Sequence, residues 1–417
     1  MKRTLGLFDV VCIGLNAIVG SGVFALPDDL YRALGIWSPL AFVLCAVGLL
    51  PVALCYAEAA GRVDRTGGPY LYASEAFGPR IGFVVGWMCF ANSLFSFSAV
   101  ASAAAAYLGR LVPALADPML LKVAGVLMIV AFAALNYFGA RPGAAAIDLF
   151  TVAKFSVLVV MIVALLPHAS LPAASETASQ ALPPIGAISA ATFMAVFAAQ
   201  GFEVVPVPAG ETQSARRNVP LAIMASLIAS SILYIIVQST LALAYPKLGE
   251  ETATPLADAA LHIAPWLGAL VTFGGLVSTL GFVSGSALGT PRYLFAAAED
   301  GHLPRSLAKL HPRFDSPHMA TLATSVLAIG LLIPFDYRSL IGMSNVAVAV
   351  QYVATCLALI PLRKRDGATK VSIVGRIAPY LGTAVSLWIV TEASSTELLW
   401  AGISLAFGLA LRALTKS

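Results

Sequence analysis

The stretch AAQGFEVVPVPAGE, residues 198–211, lies within an apolar run that otherwise predicts a membrane-spanning helix. It contains two glycines, two glutamates and two prolines. Glycine weakens a helix, proline removes a backbone donor and clashes with the preceding turn, and a carboxylate in hydrocarbon is costly. The sequence therefore predicts that a spanning helix is interrupted here.

The composition is that of a polytopic membrane protein. Of the 417 residues, 59% are hydrophobic and 11% charged, and the mean hydropathy is +0.87. A soluble fold needs more charged surface. No basic stripe is interleaved with aromatic residues, so the net charge of +4 does not indicate nucleic-acid binding. The five cysteines lie in apolar segments without metal-ligand spacing, and we expect buried packing thiols.

Apolar runs of this length cross a membrane as helices, and the chain is predicted to be an all-α membrane protein. Twelve such runs are present, at about 8–28, 36–60, 80–108, 119–139, 146–166, 187–209, 219–245, 266–297, 318–334, 338–361, 374–391 and 396–413.

The distribution of lysine and arginine predicts the orientation. With a cytoplasmic N-terminus, nineteen basic residues fall on the inside, Lys154 lies within the fifth span, and five fall on the outside: Arg32, Arg110, Lys122, Lys247 and Arg338. Cytoplasmic loops carry the excess of basic residues. We therefore expect a multi-pass protein of the cytoplasmic (inner) membrane with both termini in the cytoplasm.

A second interruption is predicted in the first span. The segment GLNAIVGSGVFALP (14–27) carries Gly20-Ser21-Gly22 at its middle, and each interruption opens a block of five spans. Paired broken helices at matching positions point to an inverted-repeat transporter. Their freed amides suit a carboxylate and their freed carbonyls an ammonium. The alternative is that these glycines only permit close helix packing.

Four segments resemble motifs of the amino acid–polyamine–organocation superfamily, in the same order along the chain. GLNAIVGSGVFALP resembles its first-helix motif, and GRVDRTGGPYLYASEAFGPRIGFVVGW (61–87) resembles its first cytoplasmic loop. FAAQGFEVVPVPAGETQSARRNVP (197–220) is similar to its sixth-helix block. The end of the family's eighth helix and the segment that follows it are similar to GTPRYLFAAAEDGHLPRSLAKLHPRFDSPHMA (289–320).

The resemblance implies a five-plus-five inverted repeat with interrupted helices 1 and 6. Residues 1–166 would form the first repeat and 187–361 the second, with two peripheral helices in 372–417. It implies alternating access to one central amino-acid site, in which amides bind the carboxylate, carbonyls receive the ammonium and a phenylalanine acts as a gate. The resemblance assigns the amides to Ser21 and Gly22 and the gate to Phe202. It assigns the carbonyls to Ile18, Phe197, Ala198 and Gln200, with Gly201 at the break.

This chain departs from the family pattern around the sixth helix. Pro206 and Pro208 replace the usual serine, threonine or alanine, which predicts a more permanently interrupted helix. Ala199 stands where an aromatic residue is common, and Gln200 where an aliphatic one is frequent.

Lys154 lies inside the fifth span, where a lysine costs about 2.5–3.5 kcal/mol on insertion scales. The resemblance implies that its ammonium replaces the sodium ion of related transporters and bridges helices 1, 5 and 8. Gly20, Ser284 and Ser286 are its candidate partners, although both serines also suit helix packing. A lysine whose ammonium extends to the membrane surface is the alternative.

Glu203 is the second charged residue expected near the centre. Its position beside the sixth break is acidic in the family, and it could carry a coupled proton, as could Lys154. The alternative is a structural hydrogen bond that holds the opened backbone.

We therefore expect a sodium-independent secondary transporter of amino acids, proton-coupled or exchanging. Neutral L-amino acids are favoured, because the central spans offer no acid besides Glu203. Export or exchange of cationic amino acids or polyamines is the alternative, and a non-transporting amino-acid sensor is more distant. An enzyme is not expected, because the five histidines are scattered and no nucleophile motif is present. We expect amino acid, protons and lipid as partners, with no cofactor, metal, nucleic acid or obligatory protein partner.

Overall fold

A computed structural model describes residues 3–63, 65, 67–138, 144–170, 181–314, 316–367 and 372–416, with the backbone alone for 144–150 and 416. Within these residues the chain is helical, and its one β-type contact is an isolated bridge between Leu5 and Thr212. The expectation of an all-α membrane protein is confirmed.

The α-helices of the described residues are numbered here in chain order. They are α1 Leu7–Ile18, α2 Gly22–Ala25, α3 Pro27–Leu34, α4 Pro39–Arg62, α5 Gly68–Phe77, α6 Pro79–Leu111, α7 Pro118–Tyr137, α8 Ala144–Leu165, α9 Ile185–Ala199, α10 Ala215–Ala244, α11 Pro255–Ile263, α12 Pro265–Glu299, α13 His318–Leu332, α14 Tyr337–Arg365, α15 Ile373–Glu392 and α16 Ser395–Lys416.

Eleven segments of the described chain are long and apolar enough to cross a membrane. The predicted ninth span is the exception, because α13 has 15 residues and ends at Leu332, two positions before Pro334. A helix of that length spans about 22 Å, less than the hydrocarbon core. α13 is still apolar and packs against α6, α7 and α12. The division into two repeats and a peripheral pair stays a prediction.

Burial identifies α6 as the innermost helix. In its apolar window 83% of the residues are buried, against 11% in α7, 28% in α15 and 17% in α16. α7, α15 and α16 are thus largely exposed within the chain, whereas α6 forms part of the centre, where the two interrupted spans meet.

Both predicted interruptions are present. α1 ends at Ile18, and the chain is not helical again until Gly22. α9 ends at Ala199, followed by an extended Gln200 (ψ 152°) and Gly201 at φ +127°. Only 3₁₀ turns follow, at Phe202–Val204 and Ala209–Glu211, before α10 begins at Ala215. The sixth span is thus interrupted over the stretch that contains the two prolines.

The two breaks contact each other through their backbones. A Cβ on Gly201 would lie 2.6 Å from the Ala17 carbonyl carbon and from the Ile18 nitrogen. A Cβ on Gly22 would lie 2.6 Å from the Cα of Ala198. Each break therefore requires a glycine so that the other can approach.

Replacing Gly201 by alanine should destabilise the protein. The new Cβ would meet backbone atoms of Ala17 and Ile18 at a φ that L-residues rarely adopt. The conformational strain alone costs roughly 1–3 kcal/mol. We expect a lower melting temperature for the detergent-purified variant in differential scanning fluorimetry.

Gly330→Ala in α13 is the matched control, because a Cβ there meets nothing within 4 Å. It should melt at the wild-type temperature or slightly above. Equal melting of Gly201→Ala and Gly330→Ala would contradict the close contact of the breaks.

Candidate functional site

A cavity lies where the two breaks meet, with about 80 Å³ open to the centres of water molecules. This is room for several waters or one small solute. The breaks, α6, α12 and α14 surround it. Its lining residues include Ile18, Gly20, Ser21, Gly22, Cys89, Asn92, Ser93, Ser96, Phe197, Gln200, Gly201, Glu203, Phe282, Tyr293 and Gln351.

Lys154 is 2% exposed and its ammonium lies at the first break. Nζ donates to the Val19 carbonyl at 2.8 Å and to the Asn16 carbonyl at 3.3 Å. These carbonyls belong to the C-terminal end of α1, where the helix dipole places negative charge. The lysine therefore holds the broken end of α1 instead of extending to the membrane surface.

The predicted partners of Lys154 need a correction. In the described part of the chain, its hydrogen bonds go to Asn16 and Val19 and not to Gly20, Ser284 or Ser286. The physical reason is that the last turn of α1 leaves carbonyls without intrahelical partners, and these accept from the ammonium. Gly20 instead lies against the ring of Phe282.

The carbonyl of Ile18 also needs a correction, because it was expected to receive a substrate ammonium. It accepts from the Tyr234 hydroxyl at 2.8 Å and from the Gly20 amide at 2.8 Å. A carbonyl oxygen has two lone pairs, and both are engaged. Ile18 lines the cavity, but its carbonyl serves to hold the break.

Glu203 holds the sixth break. Its Oε2 accepts from the Gly201 amide at 2.8 Å and from the Tyr352 hydroxyl at 3.2 Å. Glu203 is 4% exposed, and it also lines the cavity. These hydrogen bonds agree with the alternative role of Glu203, in which it holds the opened backbone.

Gln200 joins a polar network that the sequence analysis missed. Its Nε2 donates to Asn345 Oδ1 at 2.5 Å, and the Ser344 hydroxyl lies 3.0 Å from its Oε1. Ser344 also contacts Asn92 Oδ1 at 2.6 Å and the Ser96 hydroxyl at 2.9 Å. The available signal was the presence of asparagine in the middle of two apolar spans, where polar side chains are costly.

Of the remaining predicted residues, Ser21, Gly22, Phe197, Gln200 and Gly201 line the cavity, whereas Ala198 and Phe202 are not among its lining residues. Ala198 is the close neighbour of Gly22.

Phe202 is fully buried in an aromatic cluster, which differs from its predicted place over the pocket. Its ring stacks on Tyr352 at 5.4 Å and meets the edge of Tyr56 at 5.6 Å between centroids. The 3₁₀ turn after Gly201 carries the side chain away from the cavity wall and towards α4 and α14.

On the opposite side, Tyr337 at the start of α14 approaches the first break. Its hydroxyl lies 3.1 Å from the Ser21 hydroxyl, and its ring meets the edge of Phe197 at 6.1 Å. Tyr337 and the cluster of Phe202, Tyr56 and Tyr352 thus lie on two sides of the cavity.

An ion-pair cluster lies beyond Tyr337. Asp29 in α3 accepts from Arg338 Nε at 3.0 Å and pairs with Arg32. Next to it, the fully buried Asp28 accepts from the backbone amides of Gly249 at 2.7 Å and Glu251 at 3.1 Å. The loop between α10 and α11 is thereby fixed to the segment that follows the first break.

A second ion-pair cluster lies at the other end of α14. Glu58 at the end of α4 pairs with Arg62 at 2.8 Å and is bound by Arg363. Arg62 also reaches Asp366 at 3.1 Å. Hydrogen bonding from Arg365, and secondarily from Arg62, holds the pKa of the Asp366 carboxyl below its usual range.

The five cysteines are buried, so the expectation of packing thiols is confirmed. Among the described residues, no group of three or more histidine, cysteine, aspartate or glutamate side chains has an arrangement that could hold a metal ion.

Comparison with known proteins identifies the family. The profile described as "Amino acid permease" matches residues 5–407. The chain belongs to the amino acid permease family. It is therefore a multi-pass membrane transporter and not an enzyme.

Relatives of this permease carry several substrate names. It is 29% identical to human cationic amino acid transporter 4, and the match covers 87% of this chain and 60% of that protein. It is 25% identical to the branched-chain amino acid permease BcaP of Bacillus subtilis, covering 88% of this chain and 82% of that one. With the b(0,+)-type amino acid transporter 1 of Mus musculus it shares 26% identity over 96% and 84% of the two chains.

Replacing Lys154 by methionine should disrupt the first break. The carbonyls of Val19 and Asn16 would lose a charged donor, and such hydrogen bonds contribute about 1.5–3 kcal/mol each. We expect a lower melting temperature and amino-acid uptake at background in proteoliposomes.

The control is Lys122→Met, which removes an exposed lysine that donates to the Ile333 carbonyl at 2.6 Å. Its stability and uptake should stay near wild type. The assigned role of Lys154 is wrong if both variants behave alike.

Proposed function

We propose that this permease transports neutral L-amino acids by alternating access, without sodium, by proton coupling or exchange. The observation that supports it most is the cavity formed where the two broken spans contact each other. Backbone groups freed at such breaks must be satisfied inside the protein or by a ligand.

The two charges of a zwitterion are assigned to different breaks. Ser21 and Gly22 line the cavity where the chain re-enters a helix, and their amides suit the substrate carboxylate. Carbonyls at the end of α9, from Phe197 to Gln200, suit the ammonium. The Ile18 carbonyl is left out, because Tyr234 and Gly20 already bind it.

Neutral substrates are favoured by the charge of the cavity. Among the described lining residues the acid is Glu203, and its carboxylate is engaged by Gly201 and Tyr352. A cationic side chain would have to compete with these donors. The name of human cationic amino acid transporter 4 supports cationic amino acids as the second candidate.

Sodium independence rests on the position of Lys154. Its ammonium group already donates hydrogen bonds to the carbonyls of Asn16 and Val19 at the first break. A fixed cation there removes the need for a bound metal ion at the same carbonyls. The same lysine, or Glu203, is the proposed carrier of a coupled proton.

Alternating access would use the contacts on the two sides of the cavity. On one side, Tyr337 approaches Ser21, and Arg338 pairs with Asp29. On the other, the rings of Phe202 and Tyr352 stack. We assign the first set to the outer barrier and the second to the cytoplasmic barrier, in agreement with the excess of basic residues predicted on that side.

Counterflow in proteoliposomes tests this function. Vesicles loaded with one amino acid and given its radiolabelled form should accumulate label for neutral L-amino acids, equally in sodium and in potassium buffer. Protein-free liposomes are the control. A proton gradient in a second series separates symport from exchange.

Accumulation confined to arginine, lysine or amines would favour the second candidate. Failure of every amino acid and amine to exchange would refute the proposed function, and dependence on sodium would refute the role of Lys154.

Cys89 provides a reporter of occupancy, because it lines the cavity and is 4% exposed. In a variant that keeps Cys89 alone, a transported amino acid should slow its reaction with a maleimide, since the substrate covers the thiol. Labelling is measured by intact-protein mass spectrometry over time.

A variant that keeps Cys356 alone is the control, as this thiol is fully buried and not a lining residue. Its labelling rate should not respond to substrate. An unchanged rate at Cys89 would place the substrate outside this cavity.

A further inference from the structure

Gln351 lines the cavity from α14 and is 2% exposed. Its Oε1 accepts from the Cys89 thiol at 3.3 Å, and its backbone carbonyl accepts from the Tyr56 hydroxyl at 3.4 Å. Its Nε2 is buried and has no hydrogen-bond partner among the described residues. The amide group is thus oriented by Cys89 with its donor side left free.

Several neighbouring polar groups of the cavity have hydrogen-bond partners. Ser93 contacts the Thr290 hydroxyl at 2.6 Å, and Ser96 and Asn92 both contact Ser344. These hydrogen bonds join α6 to α12 and α14. In contrast to these groups, the amide nitrogen of Gln351 is a buried donor without a partner among the described residues, in a residue that lines the cavity.

A buried donor without a partner is costly, and most buried polar groups have one. Its placement beside a cavity means that a bound solute can supply the missing acceptor. A site built in this way favours ligands that carry the acceptor and disfavours isosteres that lack it.

The position of Gln351 assigns it to the substrate side chain and not to the zwitterionic head. Gln351 lies seven residues, or two helical turns, beyond Ser344, which contacts Gln200 at the sixth break. Its own contacts are with Cys89 and Tyr56, residues of α6 and α4. The backbone groups proposed for the head belong to the breaks themselves.

Resting on the function proposed above, we propose that Gln351 selects small neutral amino acids whose side chain carries a hydrogen-bond acceptor, such as threonine, serine and asparagine. The small volume of the cavity disfavours large side chains. Acidic side chains are disfavoured because Glu203 lines the same cavity.

Threonine and valine form the sharpest pair for a test, because they have nearly the same shape and differ in the hydroxyl. A single hydrogen bond of this kind is worth up to about tenfold in affinity. The wild-type transporter should therefore prefer threonine over valine by several-fold in counterflow competition, with serine over alanine as a second pair.

Gln351→Met keeps the length of the side chain and removes the amide. It should bring the threonine-to-valine ratio close to one while valine transport is retained. Thr324→Val in α13 is the matched control, because it also removes a fully buried, unpartnered polar group but lies outside the cavity lining. Its ratio should equal that of the wild type.

If Gln351→Met does not fold, the threonine-to-valine ratio of the wild type tests the proposal by itself. A wild type that transports valine as well as threonine, or a Gln351→Met variant that keeps the wild-type ratio, would overturn it while leaving the transport function intact. An equal loss for both substrates in Gln351→Met would assign the residue to the head group and would also overturn it. Absence of transport for every amino acid would instead refute the proposed function.

Discussion

The arrangement of this permease depends on the direct backbone contact between its two helix breaks. Gly201 lies against the Ala17–Ile18 peptide, and Gly22 lies against Ala198, with no room for a side chain at either glycine. An interrupted helix that faced lipid would leave backbone amides and carbonyls without hydrogen-bond partners, which is prohibitively costly. Placed against each other at the centre of the bundle, they enclose these groups together with a cavity. The neighbouring helices then need only surround this junction.

Two ionisable side chains, one basic and one acidic, bind the backbone at the junction. Lys154 binds carbonyls at the end of α1, where the helix carries partial negative charge. Glu203 binds the amide of Gly201, a donor that the interruption of α9 leaves outside the helix. Each buried ionisable group therefore has hydrogen-bonded partners, the condition under which such a group is tolerated in the interior. The cost of burying each side chain is offset by hydrogen bonds to backbone groups that would otherwise be unpaired.

The breaks could be predicted from the sequence because glycine and proline act locally on the backbone. The contact of Lys154 with helix 1 was also expected, although its exact partners were not. The position of Phe202 and the engagement of Ile18 by Tyr234 depend on how distant helices pack, and this information is missing from a local pattern. Most spans are apolar on every side, so the sequence does not show which face of α14 lies inside. The roles of Ser344, Asn345 and Gln351 were missed for that reason.

Asp28 has a consequence for how the protein moves. Its buried carboxylate accepts two amides of the loop between α10 and α11, at Gly249 and Glu251. These two hydrogen bonds tie the loop to α3, although more than two hundred residues separate them in sequence. Any tilt of the segment that follows the first break displaces an exposed part of the surface with it. The hydrogen bonds of Asp28 thus link the segment after the first break to the protein surface.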